Sequence, residues 1–201
     1  CLNKVTCVRM YNLVQNYWEE EIKRLEGIKS KVSQQEVQEL ERKIKWMKET
    51  EMAVVISQEQ NEIQTFKKWD LDIKPHREKM EKRELDKEFK DKDNPLRVVF
   101  VCAMWLTGFD VKCLSCLYLD KPLKAHTLMQ TIARANRVAE GKSNGLIIDY
   151  IGIVKALRKA LADYTANVGG RETDPTIDKE ELIEHVLETI SAAIELSLIH
   201  I

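Results

Sequence analysis

Apolar side chains recur at three- and four-residue steps in several long segments, and this spacing predicts amphipathic helices. The first predicted helix runs from Met10 to Leu25, and Ser33 is placed to begin a second one with a thinner apolar stripe. A third is expected from a capping-box sequence at Ser57, and the charge-rich segment 77–93 is expected to form one surface helix. Further helices are predicted at residues 124–138, 153–164 and 177–201.

Short runs of β-branched and other apolar residues separate these helices and predict buried strands. The predicted strands are Met52–Ile56, Arg97–Cys102, Leu117–Leu119 and Gly145–Asp149, with a further short strand expected at Leu71–Ile73. Because helices alternate with strands that are apolar throughout, the expected fold class is α/β, with a parallel sheet flanked by helices and a C-terminal helical extension.

Composition and charge narrow the class of protein. Hydrophobic residues make up 44% of the 201 residues and charged residues 32%, which suits a folded domain with a core. The balance of 32 Lys and Arg against 33 Asp and Glu excludes a generally basic nucleic-acid-binding surface, although it permits a local patch. The apolar runs are too short to span a bilayer, and five cysteines indicate reduced thiols, so a cytoplasmic protein without membrane contact is expected.

One candidate functional segment is the turn Thr107-Gly-Phe-Asp110, which follows the predicted strand ending at Cys102. Ligand sites of open α/β sheets form beyond the carboxyl ends of their strands. Gly108 permits a tight backbone approach or a positive φ, and Asp110 could orient a ribose, a metal-bound water or an arginine. Since Gly-x-Asp turns are common, an ordinary turn remains the alternative.

The second candidate segment lies on the predicted helix that follows Pro122. Gln130, Arg134 and Arg137 have i, i+4 and i+7 spacing, so they are expected to project from one helical face. Two guanidinium forks on one face indicate an anionic partner from another segment, and a phosphate suits their planar geometry. Exposed arginines that pair with a neighbouring loop are the alternative interpretation.

Three other kinds of site are not predicted. Cys113 and Cys116 have the spacing of a metal or redox pair, but no second pair follows, so they are expected to be small core residues. A restriction-type nuclease centre needs an Asp upstream of Glu-x-Lys on strands, whereas Glu21-Ile-Lys23 lies in a predicted helix. The sequence also contains no Gly-rich phosphate-binding loop. No metal site is therefore expected in this chain.

Together the two candidate segments resemble a known family. Residues Phe100–Asp110 are similar to motif V of superfamily 2 helicases, and Gln130–Arg137 is similar to motif VI. The amino-acid sequences of these two segments and of Tyr118–Pro122 most resemble the R subunit of type I restriction enzymes, which is their motor and nuclease subunit. The resemblance covers about residues 1–164. It implies a second RecA-like motor domain at residues 1–168, without its first strand, and a linker with the start of a helical region at 169–201.

The resemblance also implies a role for each candidate residue. Arg134 and Arg137 would be arginine fingers that neutralise charge on the γ-phosphate of ATP. Gln130 would position a finger or the attacking water, while Gly108 and Asp110 would couple the nucleotide to the DNA track. ATP and Mg²⁺ would bind between this domain and a first motor domain, which is not part of this sequence.

Partners follow from the same resemblance. Thr107 would lie near a phosphate of the DNA backbone, and the complete subunit would move along double-stranded DNA with the modification and specificity subunits of a restriction-modification system. Because the first motor domain and the nuclease domain are absent from this sequence, the chain alone is expected to be inactive. The alternatives are a non-catalytic α/β protein-interaction module and the motor domain of another superfamily 2 helicase.

Overall fold

The computed structural model describes residues 1–106, 108–137, 142, 144–153 and 159. Helices α1 to α6 span Lys4–Ile28, Gln34–Glu49, Glu62–Lys67, Lys74–Lys82, Leu85–Lys90 and Ala125–Ala135, and a 3₁₀ turn spans Lys29–Lys31. Strands β1 to β4 span Glu51–Val55, Leu96–Val101, Cys116–Leu119 and Leu146–Asp149. The chain divides into two units, Cys1–Ile153 and Val154–Ile201. The helices predicted at 153–164 and 177–201 lie outside the described residues except at 153 and 159, and the domain boundary at residue 168 stays a prediction.

The described strands form two parallel pairs. β1 lies beside β2, with Val54 opposite Phe100, and β3 lies beside β4, with Leu119 opposite Asp149. Parallel neighbours need a long crossover, which here is formed by helices α3 to α5 in the first pair and by α6 in the second. The predicted α/β class with parallel strands and flanking helices is confirmed, and it is consistent with a RecA-like fold.

Alternate residues of β1 pack into two different apolar layers. Met52 and Val54 contact a cluster that includes Cys7 and Val8 of α1, whereas Ala53 and Val55 contact a cluster that includes Leu85 of α5. Because both faces of the strand are covered, its sequence is apolar at every position after Glu51 rather than at alternate positions. Burial also raises the pKa of the Cys7 thiol to about 12, so this thiol remains protonated in the core.

The first two helices begin where side chains satisfy their free backbone amides. Asn3 accepts a hydrogen bond from the amide of Thr6 at 2.8 Å, so α1 begins six residues before the predicted start. Ser33 begins α2, as predicted, and it forms a reciprocal capping box with Glu36. The indole of Trp18 donates to the Met47 carbonyl at 2.9 Å, which ties the two helices together. None of the helices among the described residues has the length and apolar character that crossing a membrane requires.

Three predictions about local structure are wrong. The capping-box sequence at Ser57 does not begin a helix, because α3 starts only after Asn61, whose φ is +57°. Segment 71–73 forms no strand, since the chain turns at Asp70 with φ +55° and enters α4. The charge-rich segment is two helices rather than one. Arg83 adopts extended backbone between them and forms ion pairs with Glu51 and Glu88.

A largely buried ion pair secures the carboxyl end of β1. Arg77 donates to both carboxylate oxygens of Glu62, at 2.9 and 2.7 Å, and also to the Ile56 carbonyl at 3.2 Å. Burial by itself raises the pKa of Glu62, but the bonds from Arg77 outweigh it, so the pKa lies below its ordinary value of 4.5. The pair thereby joins α3 and α4 to the end of the strand.

Replacing Glu62 tests this contribution and its pH dependence. The folded pKa lies below the ordinary value of 4.5, so the stabilisation is present above that pH and is lost as the pH falls through the folded pKa. Glu62→Gln should reduce the free energy of unfolding by about 1–3 kcal/mol at pH 7, and by less at pH 3. Urea unfolding at the two pH values measures the difference. Glu21→Gln, which breaks an exposed pair with Arg24, is the matched control and should change the free energy of unfolding little. Equal losses of unfolding free energy in Glu62→Gln and Glu21→Gln would contradict a special contribution of the buried pair.

Candidate functional site

The loop that leaves the carboxyl end of β2 contains the first candidate segment. Gly108 has φ +72°, and a Cβ built at this position would meet nothing within 4 Å. The glycine is therefore needed for its backbone conformation rather than for a close approach, which selects between the two roles predicted for it. Asp110 is exposed two residues later. Thr107 lies outside the described residues, so its predicted contact with DNA stays a prediction.

Helix α6 holds the second candidate segment against β3 and β4. Leu128 and Ala135 are fully buried, and Thr131 is buried between them. The Thr131 hydroxyl donates to the Thr127 carbonyl at 2.7 Å, so its burial leaves no polar atom unsatisfied. This buried stripe fixes the rotation of the helix and leaves Gln130 exposed on another side.

The helix ends earlier than predicted, and this changes the position of one arginine. α6 stops at Ala135 with Asn136 as its C-cap, three residues before the predicted end. Gln130 and Arg134 are the two predicted site residues on the helix, whereas Arg137 extends from the segment that follows it. The ammonium of Lys142 donates to the Ala135 carbonyl at 2.6 Å, which satisfies one of the free carbonyls at the helix end.

Both arginines contact the loop that contains Gly108. The Nε of Arg134 donates to the Leu106 carbonyl at 2.8 Å. Arg137 donates to Asp110 Oδ2, also at 2.8 Å, and the two side chains of this pair are 50% and 46% exposed. The structure therefore brings four of the predicted site residues to one place, at the end of α6 and in the loop after β2. Within the described residues both arginines thus pair with a neighbouring loop, which is the alternative interpretation of their spacing, and a phosphate partner stays a prediction.

The segment that follows β2 and the segment that follows β3 approach each other. The ammonium of Lys121, two residues after β3, lies 3.9 Å from the Cys102 sulfur, one residue after β2. Cys113 and Cys116 are half-buried rather than core residues, contrary to the prediction, and the Cys113 sulfur lies 3.6 Å from the Phe89 carbonyl. The candidate residues thus cluster where the strands end, the location at which α/β folds bind ligands.

Sequence reasoning missed the aromatic residues that frame this loop. Trp105 stacks on Phe109 with 4.2 Å between ring centroids, and its other neighbour is Phe89 of α5 at 5.9 Å. The i, i+4 spacing of two large rings in a segment predicted as a turn was the available signal. The Leu106 carbonyl left no signal, because every residue carries one.

Comparison with known proteins gives one consistent family. The model for the family described as type I restriction enzyme subunit R domain 3 matches residues 3–152. The HindI endonuclease subunit of Haemophilus influenzae is 54% identical over 94 residues, 45% of this chain and 9% of that protein. The putative MjaVIIIP endonuclease subunit of Methanocaldococcus jannaschii is 34% identical over 161 residues, 75% of this chain and 14% of that protein.

A Staphylococcus aureus relative, the SauMRSORF196P endonuclease subunit, is 38% identical over 109 residues, 54% of this chain and 11% of that protein. All three relatives are type I restriction enzyme endonuclease subunits by name. The chain thus spans between 9% and 14% of the length of these relatives.

Gly145, directly before β4, packs closely on the end of α6, so a substitution here tests whether this contact fixes the position of the helix end. A Cβ added to Gly145 would lie 2.1 Å from the Ala135 carbonyl oxygen, so the end of α6 must shift. We expect Gly145→Ala to lower the free energy of unfolding by about 1–3 kcal/mol in urea titrations. Gly27→Ala, in α1 with nothing within 4 Å, should raise it by about 0.5–1 kcal/mol. If Gly145→Ala left the free energy of unfolding unchanged, the segment before β4 would not constrain the end of α6 that carries the arginines.

Proposed function

The chain belongs to the family described as type I restriction enzyme subunit R domain 3, and from this membership we propose that it is the second RecA-like motor domain of an ATP-driven DNA translocase. In this proposal the loop after β2 is helicase motif V and the end of α6 is motif VI. The ATPase, translocation and endonuclease activities belong to the complete subunit, of which this chain supplies one half of the nucleotide site.

The observation that carries the proposal is the joining of the loop and the helix end by two arginines. Arg134 binds the Leu106 carbonyl and Arg137 binds Asp110, so one charged cluster contains candidate residues from both segments. A non-catalytic interaction module would not need two guanidinium groups at the carboxyl edge of its strands. A motor domain needs them there, because the edge faces the nucleotide.

The residues present fit a nucleotide phosphate. Arg137 is half-exposed and already bound to a carboxylate, whose oxygens resemble those of a phosphate in charge and hydrogen-bonding geometry. An exposed pair of this kind is worth at most about 1 kcal/mol, so exchange of Asp110 for a phosphate has a low cost. The open space beside Gly108 leaves room for a ligand next to the pair.

ATP would supply the γ-phosphoryl group, whose transfer to water releases the free energy for movement. Arg137 would leave Asp110 and donate to the γ-phosphate oxygens, where negative charge is concentrated in the transition state. Arg134 would remain anchored through its Nε and present its terminal nitrogens to the same group. Gln130, one turn before Arg134, would orient the attacking water or a finger. Release of Asp110 would then transmit nucleotide binding to the loop.

Mg²⁺ ligands are not apparent in the described part of the chain. No group of three or more His, Cys, Asp or Glu side chains among these residues could hold a metal ion. We therefore propose that the ligands of the cation come from the first motor domain of the complete subunit, and we assign none to Asp110.

DNA is the proposed partner at the neighbouring part of the same edge. Thr107 is proposed to contact a backbone phosphate, and the lysines at 112 and 121 flank the loop that contains it. With a net charge of −1, the chain has little general attraction for a polyanion, so this local patch would carry the contact. The modification and specificity subunits of a restriction complex are the proposed protein partners.

Arg137→Ala in the complete R subunit tests the proposed finger. ATP turnover and translocation should fall by about 10³-fold or more, because a finger acts on charge that develops in the transition state. Arg137→Lys should not restore activity, since an ammonium lacks the planar fork. Steady-state ATPase assays and DNA-binding titrations measure the two effects, and DNA affinity should change little.

Arg24→Ala is the matched control for this experiment, because Arg24 forms a similar exposed ion pair, with Glu21, on the remote helix α1. It should leave ATP turnover unchanged. Normal turnover by Arg137→Ala would remove the residue from the catalytic assignment, and unfolding of the variant would make its role structural.

The isolated chain offers a second test of the divided nucleotide site. A purified sample should hydrolyse no ATP above background and bind it weakly at most, because this chain contains no phosphate-binding loop. Phosphate release and calorimetric titration are the measurements. Turnover by a sample that survives further purification steps at constant specific activity would contradict the proposal.

A further inference from the structure

The loop after β2 contains a residue in an uncommon backbone conformation. Trp105 has φ +67°, in the left-handed region that favours glycine and, less strongly, asparagine. A large side chain remains in this conformation only where surrounding contacts enforce it. The contacts around Trp105 therefore indicate what the conformation is for.

Three aromatic rings form a continuous stack through this residue. The planes of Phe89 and Trp105 are inclined by 22°, and those of Trp105 and Phe109 by 16°, so all three rings lie nearly parallel. The Lys90 ammonium lies over the ring of Phe109, 4.6 Å from its centroid. Trp105 also packs on the apolar cluster that contains Leu85. The stack consequently connects α5 and the core to an exposed loop.

The stacked rings alternate with the groups that bind the arginines. Leu106, whose carbonyl accepts from Arg134, directly follows Trp105. Asp110, which accepts from Arg137, directly follows Phe109. Fixing the two rings therefore fixes the backbone from which both acceptors extend.

We propose that Trp105 and Phe109 are positioning residues, whose stack on Phe89 holds the Leu106 carbonyl and the Asp110 carboxylate in place for Arg134 and Arg137. The proposal rests on the proposed function, because it assigns to the stack the alignment of the arginines before nucleotide binds. It also makes α5 the part of the core to which this alignment is anchored.

Substitutions at Trp105 separate the ring from the backbone. Trp105→Asn removes the ring but keeps a residue that tolerates positive φ, whereas Trp105→Tyr keeps an aromatic ring. Trp69→Asn is the matched control, because Trp69 is an exposed tryptophan that stacks with Arg9 away from this loop. The readout is the rate at which the Arg134 Nε–H exchanges with solvent, followed by NMR on the 201-residue chain.

Exchange of the Arg134 Nε–H should be at least about 10-fold faster in Trp105→Asn, because a broken hydrogen bond exposes this proton to solvent. A 10-fold change in the exchange rate corresponds to a free-energy difference of about 1.4 kcal/mol. Trp105→Tyr and Trp69→Asn should exchange near the wild-type rate, and backbone amides of β1 should remain protected throughout. Phe109→Leu breaks the stack from its other side and should act like Trp105→Asn, so it decides the result if Trp105→Asn does not fold.

Unchanged Arg134 exchange in both Phe109→Leu and a folded Trp105→Asn would overturn the proposal. Equal acceleration at the β1 amides would overturn it too, because the rings would then stabilise the whole domain. The measurement needs no nucleotide, so its failure is distinct from failure of the proposed function, which the turnover of Arg137→Ala in the complete subunit decides.

Discussion

Parallel pairing of the strands is the constraint from which the rest of this structure follows. Two parallel neighbours cannot be joined by a tight turn, so helices must return the chain from the end of one strand to the start of the next. The loops therefore begin where strands end, and the segments that follow β2 and β3 come together where the Lys121 ammonium approaches Cys102. The candidate functional residues lie there because these segments bring them together. Strands such as β1, which are covered on both faces, expose little surface to a ligand.

The contacts at this edge differ from those of the core in a way that suits a change of partners. Glu62 and Arg77 form a largely buried, bidentate pair that holds the fold together. Arg137 and Asp110 form a half-exposed pair through a single hydrogen bond, which contributes little to stability. A guanidinium that must transfer from a carboxylate to a phosphate needs the second arrangement, in which its orientation is set but its binding is weak.

Much of the fold was predictable because its determinants are local. The apolar run of β1, the capping box at Ser33 and the need for glycine at position 108 each depend on a few consecutive residues. One failure arose from a long-range contact, and two arose where the backbone turns at Asn61 and Asp70. Arg83 interrupts the charge-rich segment because it binds Glu51, which is 32 residues away. At the site, the hydrogen bond from Arg134 to the Leu106 carbonyl could not be predicted either, because every residue has a backbone carbonyl.

The proposed exchange of partners by Arg137, from Asp110 to the γ-phosphate, can be seen in a structure of the complete R subunit with ADP and aluminium fluoride. The planar fluoride mimics the phosphoryl group during transfer. The Arg137 guanidinium should lie within hydrogen-bonding distance of the mimic, about 3 Å, with its bond to Asp110 broken. A bound mimic with Arg137 still paired to Asp110 would contradict it.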